Sequence, residues 1–309
     1  MDSEYGAAVR NIFAQESDHK VQYARLIELL EVVLPKGCKV GDANMVVEIV
    51  KSVVAAETGS MMVSRQYVTH ITERLEQDKM EEVTVKKIAE GMLDVMKTRT
   101  VSYEDQVYTI RVLLANLYEK EDRLMDAAKM LMAIDVDSVS RFNGPRATEE
   151  ALKPKLCIRI AQLLLRSNEI DNAEHYVNRT SMYHIELKNE VLLAEHKSLQ
   201  ANVFDAKRKF VEAAQKYYEL SQTKFYTDEA RRSALENAII CVLVSNPGTQ
   251  RNRLLTSLVK DEKASGLPHF DLVEKMYMDR LIKQQEVAYL ESRLKPHQEK
   301  NENGESILK

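Results

Sequence analysis

Residues that interrupt helices are scarce in this sequence, which has nine glycines, six prolines and no tryptophan among 309 residues. Leucine, alanine, glutamate, lysine, methionine and arginine, which favour helices, are plentiful instead. No segment alternates apolar and polar residues for long enough to predict a strand. These features together predict an all-α protein.

Long apolar runs are also missing, since none approaches the roughly 18 residues that a transmembrane helix needs. The start of the chain, Met1–Tyr5, has neither the basic nor the apolar region of a secretory signal, so we do not expect secretion. Three cysteines, Cys38, Cys157 and Cys241, are odd in number and far apart, which favours a reducing compartment. Because the formal net charge is only −4, we expect neither nucleic acid nor a membrane as a partner.

Motifs of catalysis and metal binding are missing as well. The sequence contains no G-x-x-x-x-G-K-[ST], G-x-G-x-x-G, H-E-x-x-H, C-x-x-C or G-x-S-x-G. The only local group of histidines, His175, His184 and His196, has spacings that do not place two imidazoles on one helical face. Cys157 and Cys241 lie between apolar neighbours, which is typical of small buried residues rather than of nucleophiles. We therefore expect no catalytic residue, no metal and no cofactor.

A pattern of small and large residues recurs three times in the middle of the chain. An alanine is followed twelve residues later by a second alanine, with a large apolar residue nine residues after the first. Two helices approach to about 8–10 Å where small side chains lie at their crossing, so the pattern predicts stacked helical hairpins. The first alanines are 46 and 40 residues apart, which is within the range of helical repeats. The alanine pairs, all predicted at helix crossings, are Ala115 and Ala127, Ala161 and Ala173, and Ala201 and Ala213, and the large residues are Leu124, Ile170 and Phe210.

The predicted architecture is a right-handed α-solenoid of repeats that resemble tetratricopeptide or HEAT repeats. Asp, Ser, Asn, Gly and Pro cluster between Asp135 and Pro154, as loops require. We predict an N-terminal helical-repeat arm at 1–135, a linker at 136–154, a second helical-repeat region at 155–295 and a polar, flexible tail at 296–309.

Short basic clusters form the remaining candidate site. Lys207, Arg208 and Lys209 lie between the two helices of the third repeat and form what we call the basic turn. The pairs Arg231–Arg232 and Arg251/Arg253 follow. A basic ridge of this kind suits an acidic partner or phosphates, whereas the acidic residues that flank it favour an ordinary solvated turn. Both interpretations stay open from the sequence.

Several longer segments carry a resemblance to a known family. They match in order over essentially the whole chain, and they resemble the PCI-domain family in the form that it takes in the COP-nine signalosome. The residues that carry this resemblance are Met62–Gln66, Thr100–Val107, Leu117–Asp122, Arg208–Ser221, Gln250–Glu262 and Glu274–Arg280. The resemblance implies that 155–295 is the helical part of a PCI domain.

The resemblance also implies a function. It implies a noncatalytic scaffold subunit of an assembly that removes Nedd8 from cullins and so regulates ubiquitin conjugation. The zinc metalloprotease belongs to another subunit, and its His-x-His pair with a downstream Asp does not occur here. The implied partners are other signalosome subunits of the PCI and MPN types, with a cullin-RING ligase contacting the arm at 1–135. The implied location is the cytoplasm and the nucleus.

One departure from the family and three alternatives belong to this interpretation. Family members continue into a winged helix, whereas this sequence ends at Lys309, so we expect weaker seating in the assembled complex.

The first alternative is a PCI scaffold subunit of the proteasome regulatory lid. The second is a peptide-binding adaptor of tetratricopeptide type, for which Asn116 and Asn202 recur after the first alanines while Gln162 breaks the set. The third is an enzyme with an unrecognised site.

Overall fold

The computed structural model of the chain is helical. It describes residues 4–16, 18–34, 43–56, 60–77, 80–137, 151–183, 189–224 and 226–299, and no β-strand occurs within these ranges. The predicted all-α class is therefore confirmed. No helix in the same ranges is both long enough and apolar enough to cross a membrane. Most of the predicted linker (138–150), most of the predicted tail (300–309), Cys38 and His184 lie outside the described residues.

The chain divides into two compact units, Met1–Glu149 and Glu150–Lys309. The described helices of the first unit are α1 (Glu4–Gln15), α2 (His19–Val33), α3 (Ala43–Ala55), α4 (Met61–Gln77), α5 (Glu82–Met96), a 3-10 helix (Lys97–Tyr103), α6 (Glu104–Lys120) and α7 (Leu124–Met132). The bounds of the predicted arm and linker stay a prediction.

Helices two positions apart in the first unit pack against each other. α1 packs on α3 and α3 on α5, while α2 packs on α4 and α4 on α6. This alternation is the arrangement of stacked helical hairpins. Gly91 of α5 makes one of these contacts possible, because a Cβ at this position would collide with the side chain of Val47 on α3. The fully buried side chains of the core include Leu26, Leu30, Ile49, Tyr67, Ile71, Ile88, Met92, Ile110 and Leu114.

The second unit begins with helices that pack in consecutive pairs and ends with shorter helices. Its described helices are α8 (Leu152–Arg166), α9 (Ile170–Met182), α10 (Glu190–Ala206), α11 (Phe210–Ser221), α12 (Asp228–Val244), α13 (Thr249–Val259), α14 (Phe270–Tyr277), α15 (Gln284–Glu291) and α16 (Pro296–Glu299). α8 packs on α9, α10 on α11, and α11 on α12. The core around α11 and α12 is apolar and includes Tyr217, Leu220, Ile239, Val242, Leu258 and Val273.

Arginine side chains bind the carbonyl groups at the ends of several helices. Arg74 Nη2 donates to the Leu34 carbonyl at 2.9 Å, and Arg99 Nη1 donates to the Val54 carbonyl at 2.8 Å. Arg251 binds the end of α12 in the same way. The last four carbonyls of a helix lack partners within the helix and carry the negative end of its dipole, so a guanidinium there is stabilising.

The start of the predicted tail contains a short helix. Pro296–Glu299 is a helical turn, and the side chain of Gln298 is only 3% exposed. Gln298 Nε2 donates to Asp205 Oδ1 at 2.6 Å, and Lys295 Nζ lies 2.9 Å from Asp205 Oδ2. A buried carboxylate needs hydrogen-bond donors, and this segment supplies them. His297 and Gln298 thus contact Asp205 of α10, and the predicted boundary at 296 stays a prediction.

Candidate functional site

The six alanines of the repeated pattern lie in the helix pairs α6 and α7, α8 and α9, and α10 and α11. The helices of each pair pack together. A residue at the contact between two helices has to be small and buried. All six alanines are fully buried: Ala115, Ala127, Ala161, Ala173, Ala201 and Ala213. Their position at the helix crossings themselves stays a prediction.

The turn inside each pair has the same backbone geometry. Asp122, Asn168 and Arg208 have positive φ angles of 59°, 63° and 59°. The N–H of the residue that follows each of them donates to the carbonyl five residues earlier, at 2.8, 2.9 and 2.9 Å respectively. This is the Schellman arrangement that ends a helix, and glycine is its usual centre. The second helix of each pair then begins at the large residue of the repeated pattern, which is Leu124, Ile170 or Phe210.

Lys207 of the basic turn is paired within its own chain. Its ammonium group lies 2.7 Å from Asp171 Oδ1 and also contacts Glu174 Oε2. Both carboxylates belong to α9, so Lys207 connects the third hairpin to the second. Hydrogen bonds from Lys207 to Asp171 and Glu174 raise the pKa of this lysine. The positive charge of Lys207 is therefore largely neutralised by these two carboxylates.

The other two residues of the basic turn are differently placed. Arg208 is half-buried, and its backbone takes the left-handed conformation that the turn requires. Lys209 is exposed, and its ammonium group lies 5.9 Å from the centroid of the Phe204 ring. Among the described residues, neither side chain forms an ion pair with a carboxylate. The partner contact predicted for Lys207, Arg208 and Lys209 stays a prediction.

A buried carboxylate lies two residues before the basic turn. Asp205, in the last turn of α10, is 2% exposed. Besides its contacts with Lys295 and Gln298, its Oδ1 lies 3.2 Å from His297 Nε2 and 3.7 Å from Cys241 Sγ. One aspartate thus connects α10, α12 and the segment 295–298. We call these five side chains the Asp205 cluster.

The electrostatics of the Asp205 cluster keep the aspartate charged and the cysteine neutral. Burial alone would raise the pKa of Asp205, but the contact with His297, the charge of Lys295 and the hydrogen bond from Gln298 outweigh it and lower the pKa to about 2. Burial, together with the neighbouring carboxylate, raises the pKa of Cys241 well above its usual value. The thiol therefore stays protonated and is a poor nucleophile. The prediction that Cys157 and Cys241 are buried is confirmed.

The histidines serve packing and hydrogen bonding in the described part of the chain. His175 packs edge-on against Tyr176, with ring centroids 5.5 Å apart. His196 is buried in α10, and its Nε2 lies 3.1 Å from Ser181 Oγ. Within the described ranges, no three or more His, Cys, Asp or Glu side chains are grouped so that they could hold a metal ion.

Comparisons with known proteins agree on one family. The family model described as "PSMD12/CSN4, N-terminal" matches residues 8–229. The COP9 signalosome complex subunit 4 of Caenorhabditis elegans is 50% identical over 308 residues, which are 99% of this chain and 75% of that relative. Its counterpart in Drosophila melanogaster is 34% identical over 292 residues, 94% of this chain and 69% of the relative. The Arabidopsis thaliana counterpart is 36% identical over 245 residues, 77% of this chain and 60% of the relative.

Proposed function

The chain belongs to the PSMD12/CSN4 family as a relative of the COP9 signalosome subunit 4 proteins, and from this membership we propose that it is a noncatalytic scaffold subunit of that assembly. The observation that carries the proposal is the 50% identity over 308 residues, since this match runs through both compact units. In this role the chain binds other subunits of the PCI and MPN types. It supports the removal of Nedd8 from cullins by a metalloprotease in another subunit, and so regulates ubiquitin conjugation.

The helical architecture supports a scaffolding role. Stacked helical hairpins present extended surfaces to which other proteins bind. In the second unit, Arg208 and Lys209 place positive charge at the turn of a hairpin, where an acidic surface of a sister subunit can reach it. This is the contact that we propose for the basic turn.

We assign the contact with the cullin-RING ligase to the first unit. Met62, in the first turn of α4, is 63% exposed, and Val101, in the 3-10 helix, is 81% exposed. The two lie beside a contact in which Arg65 Nε donates to the Ser102 carbonyl at 2.6 Å. Exposed apolar side chains on two helices that contact each other can belong to one protein-binding surface. Met62 and Val101 are therefore our candidates for this surface.

Affinity purification of the tagged chain from cell extract, followed by mass spectrometry, tests the proposal. Recovery of signalosome subunits and cullins would support it. Recovery of proteasome lid subunits would contradict it in favour of the alternative PCI assembly, and recovery of neither set would contradict both.

A variant and a matched control test the proposed contact between the first unit and the cullin-RING ligase. Met62→Asp combined with Val101→Asp should reduce the recovery of cullin while sister subunits remain. Val191→Asp is the control, because Val191 is also exposed. It is the second residue of α10, as Met62 is the second residue of α4. Equal loss of cullin from both variants would contradict the assignment to the first unit.

We also propose that the chain resides in the cytoplasm and the nucleus, where cullin-RING ligases act. Imaging of the tagged chain in living cells tests this location. Signal confined to the secretory pathway would contradict it.

A further inference from the structure

A pocket of about 280 Å³ lies in the second unit, between the end of α11, the first turns of α12 and the segment that precedes α14. Its exposed side carries three basic residues, Arg231, Arg232 and Lys263. Its inner side is apolar and consists of Leu235 and Leu267, both of which are buried. The proposed function uses none of these residues.

Positive charge is in excess in this pocket. Asp228 is the only acidic residue among those that line it, and it forms an ion pair with Arg231. The Asp228 carboxylate is 92% exposed, so this pair is held weakly and an incoming anion can compete with it. Arg232 Nε lies 3.3 Å from Glu236 Oε1, in an exposed pair on the same helix. Among the described residues, no ion pair or hydrogen bond engages the ammonium group of Lys263.

One hydrogen-bond donor of a residue that lines the pocket is unused. The Nε of Arg231 is buried and has no hydrogen-bond partner among the described residues. A buried donor without an acceptor is unfavourable, so a carboxylate that entered the pocket would gain from satisfying it. A ligand therefore needs a negatively charged hydrogen-bond acceptor at Arg231 and an apolar group against Leu235 and Leu267.

The size of the pocket limits the class of ligand. Sites for small molecules and cofactors usually have volumes of about 300–1,000 Å³. At about 280 Å³ this pocket suits one or two side chains better than a whole cofactor. An acidic segment of a polypeptide supplies the carboxylate and the apolar side chain together, and a long chain can lie across an open pocket of this kind.

We propose that the pocket at Arg231, Arg232 and Lys263 binds an acidic peptide segment of a partner protein, with an apolar side chain of that segment against Leu235 and Leu267. This binding does not depend on the assembly in which the chain works. The peptide can fail to bind although the scaffold function is correct, and the peptide can bind although the scaffold function is wrong.

Two glycines offer a matched pair of variants for the test. A Cβ at Gly266, which lines the pocket, would meet no atom within 4 Å, so leucine at this position adds bulk beside the pocket without a clash at its Cβ. Gly248 is equally open but lies outside the pocket, and Gly248→Leu is therefore the control. A charge variant, Arg232→Gln with Lys263→Gln, is matched by Arg253→Gln on the exposed surface of α13.

The assay is fluorescence polarisation of the full chain with a labelled synthetic peptide in which one leucine is flanked on both sides by aspartate and glutamate. Gly266→Leu should weaken binding about tenfold or more, and the charge variant should weaken it several-fold and reduce its salt dependence. A peptide with serine in place of the leucine should also bind about tenfold more weakly, since it loses the apolar contact.

Three results would overturn the proposal. The first is no binding of the leucine peptide at about 1 mM. The second is equal affinity in the Gly266→Leu and Gly248→Leu variants. The third is binding of pyrophosphate that displaces the peptide while leucine and serine peptides bind alike, because the pocket would then be a phosphate site without an apolar requirement.

Discussion

Replacement of Asp205 by asparagine is expected to lower the free energy of unfolding of the second unit by roughly 2 kcal/mol at pH 7. The pKa of this carboxylate is about 2 in the folded chain, against an ordinary value of 3.8. Each pKa unit corresponds to about 1.4 kcal/mol, so a shift of nearly two units gives a stabilisation of this order. Asparagine keeps the size of the side chain but loses the charge that Lys295 and Gln298 bind.

The pH dependence of this difference follows from the sign of the shift. The pKa is lower in the folded than in the unfolded chain, so the contribution of the carboxylate is present above about pH 4 and is lost as the pH falls towards about 2. Asparagine does not titrate in this interval. The difference in stability between the natural chain and Asp205→Asn should therefore be constant from neutral pH to about 4 and then shrink.

Urea unfolding over a series of pH values measures this difference, and hydrogen exchange of residues 295–299 assigns it to the second unit. Asp228→Asn is the control, because its carboxylate is exposed and its pair with Arg231 should contribute little. In the Asp205→Asn variant the backbone amide of Gln298 should also exchange its hydrogen faster, because the helical turn loses its interaction with the Asp205 carboxylate. A variant as stable as the natural chain at pH 7, or a difference that persisted at pH 2, would refute the argument.

Three further outcomes are expected. Ala173→Leu should overpack the contact between α8 and α9 and cost about 1–3 kcal/mol in urea unfolding, and an unchanged midpoint would mean that this alanine is not at a crossing. Arg208→Gly should raise the free energy of unfolding by about 0.5–1 kcal/mol, because glycine adopts the left-handed conformation without strain; a loss of stability would show that the arginine side chain matters more than the backbone. The purified chain should retain no stoichiometric zinc after dialysis and cleave no Nedd8 from a cullin, and one equivalent of zinc by elemental analysis would contradict this.

The helical class and the hairpins could be predicted because both follow from local patterns. Small residues at fixed spacing indicated where helices pair, and the large residue of each repeat is the first residue of a second helix. The turns between them gave no such signal, because Asp122, Asn168 and Arg208 share no residue type although their backbones agree. Only the asparagine and the aspartate are residues that tolerate a positive φ well. The hydrogen bonds of the turn, and not the side chains, impose that conformation.

Contacts between distant parts of the chain could not be predicted in the same way. Asp205 and Gln298 are separated by 93 residues, and each alone looks like an ordinary polar residue. The sequence did contain one signal for this contact. Asp205 lies in the last turn of a helix, where the helix dipole disfavours a negative charge, so positive or hydrogen-bonding partners are expected near it. Gly91 carried a similar signal, because a glycine within a helix usually has a packing reason.

The short stretch 205–209 makes the test of the basic turn more demanding than the sequence suggested. Asp205 anchors the segment 295–298, and Lys207 anchors α9, so a charge reversal at all three basic residues would change folding and binding together. Lys207→Glu would place a carboxylate beside Asp171 and Glu174, where like charges repel.

The informative variant is therefore Arg208→Glu with Lys209→Glu, which leaves these internal pairs intact. If the basic turn binds an acidic surface, this variant should unfold at nearly the same urea concentration as the natural chain. Its binding to sister subunits should nevertheless weaken, and most strongly at low salt, where surface charges are least screened. Lys207→Met serves as the control for the internal contact, since it should affect stability more than binding. Unchanged affinity of the double variant at low salt would leave the basic turn as an ordinary solvated turn.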